Sequence, residues 1–286
     1  MVAVGSPPRA TTALASHQGA PGSRPHNADP DQHRGTVRAV LPEGGSRIAI
    51  VTGASRGLGF ACARRLAADG LGVALVGRDE AALEQAATAL ESEGAAVLVV
   101  TADVRDRDAC HDVVAATVSR FGRVDVLVNA AGVFPRRPVL DLSADDWHDV
   151  LDVNVLGTYF MMIEAIPHMR EIGGGRIVNI SSVDGVKAHP PNAHYAASKA
   201  AVISITRSVA LEVAPMGILV NAVAPGPMAT DTAKATDWYA PMVASLPTRQ
   251  PIEPAEVAEL VAFLASPANV SIVGENVLMS GGAVIA

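Results

Sequence analysis

From residue 47 onward the chain alternates short apolar runs with longer amphipathic ones, and this alternation restricts the fold more than any other feature. A short, β-branched apolar run bounded by turn residues fits a strand buried on both faces. The longer stretches between them fit helices that cover a sheet. Strands are expected near 47–52, 72–77, 96–101, 124–129, 175–181, 217–223 and 276–280, and helices over 57–69, 79–93, 106–121, 143–171, 193–214 and 254–265. Right-handed crossovers then bring the C-terminal ends of all strands to one edge, where a doubly wound sheet holds its ligand. The expected fold class is α/β: a doubly wound, seven-stranded parallel sheet with helices on both faces, in one domain over residues 46–286.

The first strand runs into a glycine-rich turn, Thr52-Gly53-Ala54-Ser55-Arg56-Gly57-Leu58-Gly59, and a helical pattern follows. Glycines at a strand-to-helix turn let the backbone approach a pyrophosphate, and the helix start supplies N–H donors and a positive dipole end. The spacing is Gly-x-x-x-Gly-x-Gly rather than the commoner Gly-x-Gly-x-x-Gly. A bare glycine turn is often only structural. Its place between strand and helix points to a dinucleotide.

Tyr195 and Lys199 stand four residues apart in an expected helix and so share one face. An ammonium beside a phenol favours the phenolate and is expected to lower a phenol pKa of about 10. That makes tyrosine usable as an acid and base near neutrality. A solvated helix face would show the same spacing. Ser182, at the end of the apolar run 176–182, adds a hydroxyl that could grip a carbonyl oxygen.

Asn129-Ala130-Ala131-Gly132, Asn154 and Pro225-Gly226 fall in order with the glycine turn, Ser182, Tyr195 and Lys199. With this set the chain, from about residue 46 to 286, resembles the compact, single-domain short-chain dehydrogenase/reductases. It looks most like 3-oxoacyl-carrier-protein reductases and the ketoreductases of secondary metabolism. The resemblance implies a Rossmann-type sheet and a nicotinamide cofactor, with hydride transfer that reduces a ketone to a secondary alcohol. Negative charge then grows on the carbonyl oxygen, where donors lower the barrier. By resemblance Ser182 and Tyr195 are those donors and Tyr195 delivers the proton. Lys199 holds the nicotinamide ribose, and Asn154 anchors a water that relays protons. The resemblance further assigns to the cofactor Gly53, Ser55, Arg56, Gly57, Leu58 and Gly59, then Asp103 with Val104 near the adenine. It adds Asn129, Ala130 and Gly132, and Pro225, Gly226, Met228 and Thr230 around the nicotinamide. Ala130 stands where the family's loop has a second asparagine, which removes one side-chain hydrogen bond. Relatives are commonly homotetramers.

Cofactor choice turns on the end of the second strand, where NAD enzymes carry an acid for the ribose 2′-hydroxyl and NADP enzymes a cation. Gly77 takes the acid's place and Arg78 follows, with Arg56 a second candidate for a 2′-phosphate, so NADP(H) is preferred. Asp79 is either a helix cap or a displaced ribose acid, and the latter keeps NAD(H) open. Substrate contacts are expected from Phe134, Val183, Asp184, His189, His194, Trp238 and Tyr239, with residues 226–252 serving as a lid. A turn with Gly185 explains Asp184 equally well, loop hydrogen bonding explains both histidines, and packing of the lid explains Trp238 and Tyr239. The resemblance implies a substrate that is a 3-oxoacyl thioester, free or carrier-bound, or another secondary-metabolite carbonyl. Two alternatives are an NAD(P)-dependent alcohol or sugar dehydrogenase working oxidatively and a cofactor-binding regulator without turnover. A regulator has no need of the Ser182, Tyr195, Lys199 and Asn154 set.

A net charge of −7 argues against a nucleic-acid or anionic-membrane surface. No apolar stretch is expected to reach the ~18 residues that span a bilayer. Cys62 and Cys110 fall in helical patterns and suggest buried thiols rather than a disulfide framework, so the cytoplasm is the expected compartment. Residues 1–45, rich in turn formers such as Pro7-Pro8 and Gly19-Ala20-Pro21-Gly22, read as a disordered extension with no secretory signal. His17, His26 and His33 are too loosely spaced to suggest a metal site, and no metal is expected.

Overall fold

The computed structural model describes residues 45–187 and 189–285. The expectations for the extension, including its three histidines, fall on residues 1–44 and lie outside the described residues.

Seven strands form one parallel sheet: β1 (Ile48–Thr52), β2 (Gly72–Gly77), β3 (Val97–Thr101), β4 (Val126–Asn129), β5 (Gly175–Ile180), β6 (Ile218–Pro225) and β7 (Asn276–Met279). Their spatial order is β3-β2-β1-β4-β5-β6-β7. The chain therefore winds outward from β1 to β3, returns to the other side of β1, and winds outward again. A crevice forms where the direction reverses, between the ends of β1 and β4. Every residue of β1 is buried, as a strand covered on both faces requires.

Helices α1 (Gly57–Ala68), α2 (Glu80–Ser92), α3 (Arg107–Phe121), α4 (Ala144–Leu151), α5 (Thr158–Glu171), α6 (Ala193–Val213), α7 (Asp231–Lys234), α8 (Tyr239–Ser245) and α9 (Pro254–Ala265) complete the chain. Several boundaries are written in cap residues. Asp79 accepts from the Ala82 N–H to start α2, Asp106 does the same for α3, and Ser143 with Asp146 forms a capping box on α4. Gly122, in the left-handed region at φ 82°, ends α3.

Successive β1 side chains enter different cores. Ala49 and Val51 pack with Leu75 of β2 and with Leu66, Leu83, Leu90 and Val261 from α1, α2 and α9. Ile50 packs with Met161, Met162, Met169, Ile177 and Ile218 on the side of α3, α5 and α6. Each of these valine, leucine, isoleucine and methionine side chains contributes about 1.5–3 kcal/mol by leaving water. Cys62 and Cys110 are buried free thiols that burial pushes up to about 12. A polar chain crosses the second core: Asn129 donates to Asn179 at 2.9 Å, and Asn179 donates to Thr206 at 2.9 Å.

Two expectations need correction. The helix expected over 143–171 is interrupted by a π segment, Asp152–Gly157, between α4 and α5. Its wider turns rotate residues off the α-helical phase, which a 3.6-residue pattern cannot foresee. The same span, Ala144–Glu171, is long and apolar enough to cross a membrane by length and composition, contrary to the expected absence of such a stretch. Its Met161, Met162, Ala165 and Met169 belong to the core. A run of core-facing residues with few charges meets that test without a bilayer.

Candidate active site

A cleft of about 1170 Å³ opens along the edge formed by the strands' C-terminal ends. Thr52, the last residue of β1, fixes its floor by accepting hydrogen bonds from the Ala130 and Ala131 N–H groups at 3.1 and 3.0 Å. The sequence offered no sign of this hydroxyl beyond its place at a strand end.

The glycine turn is shaped by close approach. A Cβ at Gly59 would lie 2.2 Å from the Gly53 carbonyl oxygen, and one at Gly53 would lie 2.9 Å from the Ala131 backbone. No side chain caps α1, whose N-cap residue is Arg56. Free N–H donors and the positive end of the helix dipole therefore stand beside the turn. Gly53, Ser55, Arg56, Gly57, Leu58 and Gly59 all line the cleft. This uncapped helix start and its collapsed turn fit a cofactor pyrophosphate.

Further along the edge, Arg78, Asp103 and Val104 also line the cleft. Arg78 is largely exposed and lies 3.9 Å from Asp103. Asp103 is gripped by Arg105, whose Nη2 donates at 2.7 Å, and these hydrogen bonds hold the carboxyl below its usual range against the opposing effect of burial. Arg105 is a cleft residue that the sequence reading missed. Asp79 faces the cleft while one of its oxygens caps α2.

Ser182, Tyr195 and Lys199 meet because β5 and α6 are stitched together at this edge: the Lys199 ammonium, almost wholly buried, donates to the Ile180 carbonyl at 2.8 Å. Ser182 accepts from the Asp184 N–H at 3.1 Å, which leaves its proton to donate, and its hydroxyl hydrogen-bonds the Tyr195 phenol. The loop after β4 passes over the ammonium, so close that a Cβ on Gly132 would be 3.6 Å from Nζ.

The expected lowering of the phenol pKa is not what this geometry gives. Burial pushes Tyr195 up to about 12, helped by Asp184 and opposed by the Ser182 hydrogen bond and the Arg136 charge. Burial also brings Lys199 down to about 8. The ammonium stands 5.8 Å from the centre of the phenol ring and spends a proton on Ile180, so desolvation outweighs its pull.

Most of the remaining sequence candidates line the cleft: Ala130, Gly132, Phe134, Val183, Asp184, Pro225, Gly226, Met228, Thr230 and Trp238. Thr230 accepts from Ala233 as the cap of α7, with its proton left to donate. Five candidates do not. Asn129 turns into the sheet, held by Asn179. Asn154 lies in the π segment, fully buried, accepting from the Val133 N–H at 2.9 Å and donating to the Val133 carbonyl and to Ser198. It braces the β4 loop from beneath. His189 sits behind Asp184 at 2.6 Å. Tyr239 buries its hydroxyl without a partner and stacks edge-on against Trp238. His194 packs against Trp147 instead of the cleft. Among the described residues no group of three or more His, Cys, Asp or Glu side chains could hold a metal ion.

A family model described as Enoyl-(Acyl carrier protein) reductase matches residues 53–284. A 3-oxoacyl-[acyl-carrier-protein] reductase of Synechocystis sp. is 36% identical over 242 residues, which cover 84% of this chain and 98% of that protein. The crystal structure of a single-substitution variant of actinorhodin polyketide ketoreductase with NADPH superposes with a TM-score of 0.80 at 35% identity, over 83% of this chain and 97% of that one. The crystal structure of an NAD+-bound xylitol dehydrogenase gives 0.79 at 32% identity, over 82% and 98%. On these matches, the chain belongs to the short-chain dehydrogenase/reductase family.

Proposed function

We propose that this protein uses NADPH to reduce a ketone to a secondary alcohol, the ketone being a 3-oxoacyl thioester or a polyketide-like carbonyl. The observation that carries the reading is the meeting of Ser182, Tyr195 and Lys199 in one cleft with the uncapped glycine turn. When bound, the reduced nicotinamide supplies the hydride. The glycine turn and the start of α1 hold the pyrophosphate. Pro225, Gly226, Met228 and Thr230 frame the nicotinamide, and Arg56 with Arg78 faces the 2′-phosphate.

Ser182 and Tyr195 donate to the carbonyl oxygen as its charge grows. A phenol whose proton is held up to about 12 stays loaded at neutral pH and passes that proton to the forming alkoxide. Lys199, held by the Ile180 carbonyl, orients the ribose and restores the charge balance. Asn154 positions the β4 loop rather than touching the reacting atoms. Thr230 and Trp238, at the N-terminal ends of the two short helices α7 and α8, stand beside the cleft, and these helices form its lid.

Replacing Tyr195 by Phe tests this directly. NADPH oxidation with β-ketoacyl thioesters and cyclic ketones should fall at least a hundredfold, while NADPH binding followed by fluorescence changes little. Near-full activity in that variant would remove the phenol from the acid role. The similarity to an NAD+-bound xylitol dehydrogenase favours a second reading, an NAD(P)-dependent alcohol or sugar dehydrogenase. The same screen run with NAD+ and polyols separates the two.

Relatives acting on carrier-bound 3-oxoacyl groups support a carrier-bound substrate and a cytoplasmic site. Assembly as a homotetramer fits the exposed apolar side chains Leu156, Tyr159, Leu211 and Phe263.

A further inference from the structure

Two oppositely charged side chains reach the substrate end of the cleft, and only one is already committed. Asp184 accepts from Asn192 Nδ2 at 2.5 Å on one oxygen and pairs with His189 Nδ1 at 2.6 Å on the other. It ties together the loop that leads into α6 and has little left to offer a ligand. Arg136 differs. It donates one hydrogen bond, from Nη2 to the Pro190 carbonyl at 3.1 Å, and its guanidinium lies 4.6 Å from the centre of the Trp238 ring. Its Nε is buried without a partner, and among the described residues no carboxylate pairs with it. Both residues line the same cleft as Tyr195, and both act on the phenol, Arg136 drawing its pKa down and Asp184 pushing it up.

A guanidinium stacked on an aromatic face, partly desolvated and without a counter-ion, is poised for an anion. The cofactor's phosphates are poorly placed to be that anion. They belong to the turn after β1 and to the Arg78 edge after β2, whereas Arg136 is anchored to the loop after β5, with β1 and β4 between β2 and β5. The phosphate of a carrier arm stands many bonds from the ketone it delivers, too far to meet a cation that acts on the phenol. We infer that Arg136 is a specificity-determining residue that receives a carboxylate borne by the ketone substrate itself, a few bonds from the reacting carbonyl, with Trp238 fixing the guanidinium plane. This rests on the ketone-reduction reading above and selects, among the thioesters and polyketide-like carbonyls named there, those that carry a free carboxylate of their own.

The test compares aliphatic 4-oxo and 5-oxo acids with their methyl esters in NADPH oxidation by the full chain. Wild type should favour the acid at least tenfold in kcat/KM, mainly through KM. Arg136→Gln should lower that acid-to-ester ratio at least tenfold. Arg137→Gln should leave the ratio within twofold, because Arg137 pairs with Asp146 at 3.0 Å outside the cleft. Acid binding should also change tryptophan fluorescence in wild type, and the change should vanish in Trp238→Phe. If Arg136→Gln does not fold, the wild-type ratio and the fluorescence decide. Reduction of esters or neutral ketones with no advantage for the acids, or an Arg136→Gln ratio equal to wild type, overturns the assignment while leaving ketone reduction standing. If wild type oxidises NADPH with no acid, ester or neutral ketone, the reduction reading fails and takes this one with it.

Discussion

Burial sets the chemistry of Tyr195 and Lys199 more than their mutual charge does. An i,i+4 pair on a solvated helix would mainly feel Coulombic attraction. Here both groups leave water, and each is pushed toward its neutral form, the phenol up to about 12 and the ammonium down to about 8. The lysine shift also makes stability depend on pH. The unfolded chain titrates this lysine near 10.5 and the folded one near 8, so between these values the unfolded state holds more protons and stability rises with pH. The gain is absent below pH 8, and its full size is on the order of 3 kcal/mol. Urea midpoints measured from pH 8 to 10 should climb more in wild type than in Lys199→Met. Parallel curves would show that the lysine is not held near 8. The reactive residue types were legible in the sequence because motif and spacing are local. Their pKa values were not, because desolvation depends on what packs over them. Arg136 was illegible for the same reason: its significance lies in Trp238 and Pro190, both remote in sequence, and in having no carboxylate partner among the described residues.

Among the elements, the glycine turn and the π segment show what a local pattern carries and what it omits. The turn was visible as glycines between an apolar run and a helical one. Its need for glycine is steric, since a Cβ at position 59 would sit 2.2 Å from the Gly53 carbonyl oxygen. Gly59→Ala should therefore destabilise the protein by about 1–3 kcal/mol, as overpacking does. It should also weaken NADPH binding at least tenfold by fluorescence titration, because the turn must shift. Unchanged binding would mean that the cofactor does not rest on this turn. The π segment was invisible. Asn154, read as mid-helix from the sequence, is instead buried with three hydrogen bonds to Val133 and Ser198. A hydrogen-bond register shift inside a helix leaves no periodic trace over six residues. Likewise Asn129 shares a strand end with the cleft residues, yet its side chain faces Asn179 in the sheet.

For the whole molecule, cofactor preference is the property with the broadest readout. Anything that binds only the folded state raises its stability by mass action, about 2.7 kcal/mol at a hundred times Kd. If Arg56 and Arg78 face a 2′-phosphate, NADPH should raise Tm more than NADH at equal concentration, and Arg56→Ala with Arg78→Asp should erase or reverse the difference. An equal shift from both cofactors in wild type would count against NADP. By itself the sequence determined the sheet's composition, its parallel sense and the edge on which the glycine turn, Ser182, Tyr195 and Lys199 meet. Hydrophobic periodicity and crossover handedness act over one or two elements at a time, so they can be read along the chain. The tertiary structure alone decided which polar side chains face the cleft and which brace it, as with Asn129, Asn154 and His189. It alone left Arg136 without a carboxylate partner among the described residues, in the cleft that holds the phenol. Those outcomes rest on contacts between segments far apart in sequence, where solvent exclusion and packing, not local preference, fix orientation and charge.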